Sequence, residues 1–61
     1  MSIWTPEDKK RISEIATQLV VGQAKAGKLN LDDQEAVKVA LKQAVRDATS
    51  AYSAALAYIS G

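Results

Sequence analysis

The sequence predicts an all-α protein, a single domain spanning residues 1–61, with two helices near residues 6–26 and 33–59 folded into an antiparallel hairpin. Three observations support this prediction. In two segments the apolar residues recur at spacings of three and four, which is the period of an amphipathic helix. Each segment begins with residues that favour a helix start. The connection between them is short, so the two helices should lie side by side and run in opposite directions.

The first helix is predicted from its two ends. Thr5 is a favourable N-cap, Pro6 suits the first helical position, and the acidic residues Glu7 and Asp8 complement the positive end of the helix dipole. Gly27 is a typical residue for a left-handed conformation just after a helix. The predicted apolar face consists of Ile12, Ile15, Ala16, Leu19, Gly22 and Ala26.

The second helix is predicted to begin after a capping box. Asp32 is the expected N-cap, Glu35 follows three residues later, and Leu31 could form a hydrophobic staple with Ala36. The segment that follows is rich in alanine, the best helix former, and has neither glycine nor proline before residue 61. A long uninterrupted helix is therefore expected.

The segment before the first helix is expected to cover the far end of the hairpin. In the antiparallel register the second helix extends past the first by about a turn and a half, at ~1.5 Å per residue. Ile3 and Trp4 are placed to fold back over Tyr52, Ala55 and Leu56. Trp4 is accordingly predicted to be a lid on the hairpin, and the alternative is an exposed anchor for a partner.

The apolar residues of the second helix cover an arc of very roughly 200°, wider than the ~100° stripe that one partner helix usually covers. A second copy of the chain could cover the remainder and form a four-helix bundle. The alternative is that alanine serves helix propensity alone. The predicted interface comprises Ala40, Ala44, Ala48, Ala51, Tyr52, Ala55, Leu56 and Tyr58.

A basic ridge on the second helix suggests a different partner. Lys38, Lys42 and Arg46 recur every four residues and could contact phosphate groups. The length and hairpin topology also resemble those of the small plasmid RNA-binding hairpin proteins of the Rop type, a resemblance that implies an RNA or DNA regulator. However, Glu35 and Asp47 border the ridge and no aromatic residue is interleaved to stack on bases, so a solvated helix face is the alternative.

The composition argues against several functional classes. Cysteine and histidine are absent and the net charge is +1, so we expect no catalytic residues, no metal and no cofactor, and no enzyme activity. No apolar run approaches the ~20 residues of a membrane span, and the polar N-terminal residues do not resemble a signal peptide. These observations lead us to expect a cytoplasmic protein that does not contact membranes.

The leading functional hypothesis is a small, non-enzymatic interaction or regulatory module. It would act through the alanine-rich face of the second helix, form a homodimer and bind a further, unidentified protein. One alternative is a nucleic-acid-associated regulator that uses the basic ridge. The other is a structural subunit whose wide apolar face is buried in a larger assembly.

Overall fold

The computed structural model describes residues 4–60 and contains two helices, α1 (Pro6–Lys25) and α2 (Gln34–Ser60), which pack against each other as a hairpin. This arrangement confirms the predicted all-α fold, and each predicted helix boundary lies within one residue of the observed one. The longest dimension of the molecule is 39 Å. A 27-residue helix spans about 40 Å, so α2 alone accounts for that length.

The caps of α1 form as predicted. The Thr5 side-chain oxygen accepts a hydrogen bond from the Asp8 backbone N–H at 3.1 Å, and the Asp8 carboxylate accepts one from the Thr5 backbone N–H at 3.1 Å. At the other end, Gly27 has a φ of 77°. The Lys28 N–H donates to the Gln23 carbonyl at 2.9 Å, which closes the helix with a Schellman motif.

The N-cap of α2 lies one residue later than predicted. The Asp33 carboxylate accepts a hydrogen bond from the Ala36 backbone N–H at 3.2 Å, so Asp33 is the cap. The backbone N–H of Asp32 instead donates to the side-chain oxygen of Asn30 at 3.0 Å, in a turn that precedes the helix. The predicted capping box of Asp32 and Glu35 was therefore wrong, because Glu35 lies at the second helical position rather than the third.

The core between the helices is small and aliphatic. Ala44 and Ala48 are 2% and 0% exposed, and their short side chains let the backbones of α1 and α2 approach closely. Partly buried residues surround this centre at both ends of the hairpin. The buried residues among those described are Ile12, Ala16, Val20, Ala44 and Ala48, and the residues packed around them are Trp4, Ile15, Leu29, Ala40 and Tyr52.

The face that α1 turns toward α2 differs from the prediction at one end. Val20 is buried, whereas Leu19, which we expected in the core, is 41% exposed, and Gly22 and Ala26 are exposed as well. The last turns of α1 are thus rotated relative to the predicted stripe. With Asp33 as the N-cap, Leu31 no longer directly precedes the cap as the predicted staple with Ala36 requires; Leu31 is exposed, and Leu29 packs against the core.

Candidate interaction surface

A hydrogen bond between Tyr52 and Asp8 and a ring contact between Tyr52 and Trp4, which we together call the lock, join the start of α1 to α2. The Tyr52 hydroxyl donates a hydrogen bond to the Asp8 carboxylate at 2.7 Å. The Trp4 ring meets the Tyr52 ring edge to face, with 5.8 Å between ring centroids and an interplanar angle of 65°. The predicted contact of Trp4 with Tyr52 is therefore confirmed, whereas Ala55 and Leu56, which Trp4 was also expected to cover, are exposed. Ile3, predicted to share that role, lies outside the described residues.

The Asp8 carboxylate serves the helix cap and the tertiary contact together. The hydrogen bond from Tyr52, followed by the bonds with Thr5, holds the pKa of Asp8 below its ordinary value of 3.8. The same bond raises the pKa of Tyr52, because ionisation would remove the donor and place two anions side by side. Sequence reasoning placed Asp8 in the first turn of α1, where it complements the helix dipole, and missed its bond to Tyr52, which lies 44 residues away in the chain.

The residues of the predicted interface fall into two groups. Ala44 and Ala48 are buried under α1 within one chain, and Ala40 and Tyr52 are partly buried beside them. The small residues that we expected between two chains are thus the residues that let α1 and α2 approach. The remaining members of the predicted interface are exposed in the single chain, and they are Ala51, Ala55, Leu56 and Tyr58.

The exposed group lies on the projecting end of α2, which we define as residues 53–60, together with Ala51 just before it. Every residue of the projecting end is exposed, and Tyr58 and Ile59 reach 90% and 80%. The stripe of α2 that α1 covers at Ala44 and Ala48 continues through this end at helical spacing, with nothing over it among the described residues. No charged residue occurs from residue 48 onward. This surface is apolar and uncharged.

The basic ridge lies on the exposed outer side of α2. Lys38, Lys42 and Arg46 line a shallow hollow together with three aliphatic residues, Val39, Leu41 and Val45. Within residues 4–60 the only ion pair joins Arg11 to Glu7, so the ridge cations have no carboxylate partner there. The Asp47 carboxylate accepts a hydrogen bond from Gln43 instead.

A second hollow lies between the helices and adjoins the first, with which it shares two lining residues. Leu41 and Val45 line both hollows, and Trp4 and Lys9 lie on the opposite wall of the second one. The volumes are about 660 Å³ for the outer hollow and about 290 Å³ for the one between the helices. The predicted basic ridge marked the charged side of the outer hollow, and Val39 on the polar back of α2 was the signal in the sequence for an apolar contribution there.

The chemistry available at these surfaces is limited. Within the described part of the chain, no three carboxylates come close enough to hold a metal ion. The sequence contains no histidine or cysteine to serve as a nucleophile, base or metal ligand. Neither helix of the described region is long and apolar enough to cross a membrane.

No protein-family model, curated protein or solved structure matches this chain significantly.

Proposed function

We propose that this chain is a non-enzymatic interaction module that forms a homodimer through the exposed apolar stripe on the C-terminal part of α2. The observation that carries the proposal is the exposure of Tyr58 and Ile59, at 90% and 80%, on a stripe that α1 covers elsewhere. The proposal includes the cytoplasmic location expected from the sequence, and binding of a further, unidentified protein partner.

A second chain would supply the packing that the projecting end of α2 lacks. Most helix stability in proteins comes from packing an apolar face, and helix ends without such packing fray in water. Residues 53–60 form about two turns beyond Tyr52, where the contact with α1 ends. A partner that buries Tyr58 and Ile59 would stabilise these turns.

A second copy is the occupant that this surface fits best. In a twofold dimer each copy brings the same residues to the contact, so a charged patch would repel itself. The stripe has no charged residues, and the small side chains of Ala51 and Ala55 permit close approach of two helices. Two projecting ends that cross each other would bury both stripes in a contact between the two α2 helices.

Sedimentation measurements over a concentration series, with matched variants, test this proposal. Ile59→Lys places a charge on the stripe, and we expect it to weaken dimerisation at least about tenfold, because burying an unpaired ammonium costs more than about 1.4 kcal/mol. Ser53→Lys adds the same charge on another side of the same helix end and should leave the dimer intact. Far-UV circular dichroism on the same samples reports whether each variant remains helical.

The sedimentation and circular dichroism results distinguish the homodimer from its alternatives. A wild-type chain that stays monomeric and helical at every concentration would contradict the homodimer. A monomer that is poorly helical would instead favour the structural-subunit alternative, in which another chain covers the stripe. Equal effects of Ile59→Lys and Ser53→Lys on dimerisation would place the contact elsewhere on the molecule.

A further inference from the structure

The two adjoining hollows form a surface that the proposed dimer contact does not use, because the residues that line them precede the projecting end of α2. We call this surface the basic groove, and define it by the lining residues Leu41 and Val45 with Lys9, Lys38, Lys42 and Arg46 around them. Leu41 and Val45 are both exposed, although they are aliphatic and lie at the centre of the groove. Such an exposed aliphatic centre with a polar rim is typical of a binding site for another protein.

The charged residues that line the two hollows are all cations. There are four of them, and none of the described residues that line the hollows is acidic. The whole chain has a net charge of only +1, so this concentration of positive charge is local; Glu35 and Asp47 border the ridge without lining either hollow. The partner should therefore carry negative charge next to apolar side chains.

We propose that the basic groove binds an amphipathic acidic helix of a partner protein. The apolar side chains of that helix would contact Leu41 and Val45, and its flanking carboxylates would meet Lys38, Lys42 and Lys9 on the two rims. Anchors at helical spacing along a groove of this kind are a common mode of peptide recognition. The site is separate from the projecting end, so this proposal can fail while the dimer proposal holds, and the reverse.

A helix suits the groove better than an extended peptide. Apart from Trp4, the residues that line the groove lie on α2 and, around the second hollow, on α1 as well, and the backbone groups of both helices are already hydrogen bonded within each helix. A strand would find no sheet edge to pair with, whereas a helix satisfies its own backbone. A second copy of this chain is disfavoured here, because a twofold contact across the groove would bring the cations of both copies together.

A nucleic acid would use only part of this surface. Phosphate groups could contact Lys38, Lys42 and Arg46, but they would leave the aliphatic side chains Val39, Leu41 and Val45 without a complementary group. No aromatic residue lines the outer hollow to stack on a base. The acidic helix accounts for both the cations and the aliphatic centre.

The probe is a synthetic amphipathic peptide of about 18 residues, or five helical turns, with leucine on one face and glutamate on the other. Its matched control replaces every glutamate with lysine. Trp4 lines the groove and is the single tryptophan of the chain, so its fluorescence reports binding without a label. We expect saturable binding of the glutamate peptide and none of the lysine peptide.

Protein variants separate the contribution of the cations to binding from that of the aliphatic side chains. Lys38→Glu/Lys42→Glu and Val45→Ser should each weaken binding of the glutamate peptide about tenfold or more. Lys28→Glu changes an exposed lysine outside the groove and should have little effect. Circular dichroism of each variant confirms that the helices remain, and a Val45→Thr variant, closest in shape to valine, should bind more tightly than Val45→Ser.

Two results would overturn the proposal. The first is binding of the glutamate peptide that is unaffected by Val45→Ser and the double charge reversal, or no binding at all. The second is tight binding of a short RNA or DNA hairpin, used as a parallel probe, that depends on Lys38 and Lys42 but is unchanged by Val45→Ser. That result would assign the ridge to nucleic acid.

Discussion

The Tyr52 hydroxyl donates a hydrogen bond of 2.7 Å to the Asp8 carboxylate, which joins α2 to the capping box of α1. One carboxylate thus completes the first turn of a helix and holds that turn against the other helix. Because Trp4 packs on the ring of the same Tyr52, the segment before α1 is tied to this point as well. The lock lies just before the projecting end of α2 and marks where the contact between the helices stops.

Removing the hydroxyl of Tyr52 should weaken the hairpin while its ring contacts persist. Tyr52→Phe keeps the edge-to-face packing with Trp4 but removes the donor to Asp8, so we expect a lower urea midpoint with an unchanged slope. Tyr58→Phe removes the same group from a ring that is 90% exposed and should leave the midpoint in place at low protein concentration. Equal midpoints for wild type and Tyr52→Phe would mean that the bond contributes nothing to stability.

The lowered pKa of Asp8 predicts an acid-dependent loss of stability. In the folded chain the pKa of Asp8 lies below the ordinary value of 3.8, so the unfolded chain binds the proton first as the pH falls. The stabilisation is fully present at neutral pH, begins to be lost near pH 4 and disappears as the pH falls through the lowered folded value. Asp8→Asn should reduce the free energy of unfolding at pH 7. It should also reduce the fall in that free energy at low pH, which we call the acid limb.

Two measurements check this pH dependence. Unfolding curves recorded from pH 7 to about pH 2 give the acid limb for the wild type, for Asp8→Asn and for the control Asp32→Asn, whose carboxylate accepts no hydrogen bond from the described residues. Carboxyl NMR titration of Tyr52→Phe should show a higher pKa for Asp8, because its largest stabilising contact is gone. An acid limb that survives in Asp8→Asn would assign it to another carboxylate.

Enlarging the small residue at the centre of the core should separate the helices. Ala48 is fully buried, so Ala48→Leu adds volume between α1 and α2, and we expect a loss of about 1–3 kcal/mol in the free energy of unfolding. Ala57→Leu makes the same change at an exposed position of the same helix and should be nearly neutral. Tolerance of leucine at residue 48 would show that the helices pack less closely than described. Chemical denaturation measures the free energy of unfolding of both variants.

The two glycines of the α1 C-terminal region should respond in opposite directions to the same substitution. Gly22 lies inside α1 and a Cβ atom there would meet nothing within 4 Å, so Gly22→Ala should stabilise the protein by about 1 kcal/mol. Gly27 has a φ of 77°, which alanine adopts at a cost of roughly 1–2 kcal/mol. Thermal unfolding of the two variants tests the pair, and destabilisation by both would contradict the placement of Gly22 within a regular helix.

The sequence carried enough information for the fold because its signals are local. The caps at Thr5 and Gly27 and the spacing of apolar residues depend on neighbours in the chain. Asp32 and Asp33 are equally good caps by residue type, and the turn made by Asn30 decides between them. Residue propensities alone therefore do not predict which of the two aspartates is the N-cap.

The surfaces were harder to predict because they depend on which side of α2 meets α1. The apolar arc of α2 offered a flank of alanines and a flank of larger residues, and periodicity alone does not choose between them. The structure uses Ala44 and Ala48 for the hairpin, which leaves Leu41 and Val45 exposed beside the basic ridge. The bond between Asp8 and Tyr52 joins residues too distant in the chain for any local pattern to reveal.

Amide hydrogen exchange at several protein concentrations tests the central claim most directly. If a second copy covers the projecting end of α2, the amides of residues 53–60 should gain protection as the concentration rises, while those around Ala44 and Ala48 are protected throughout. Ile59→Lys should abolish that gain, and Ser53→Lys should preserve it. Protection of residues 53–60 that is the same at every concentration would contradict the claim that self-association orders this end of the molecule.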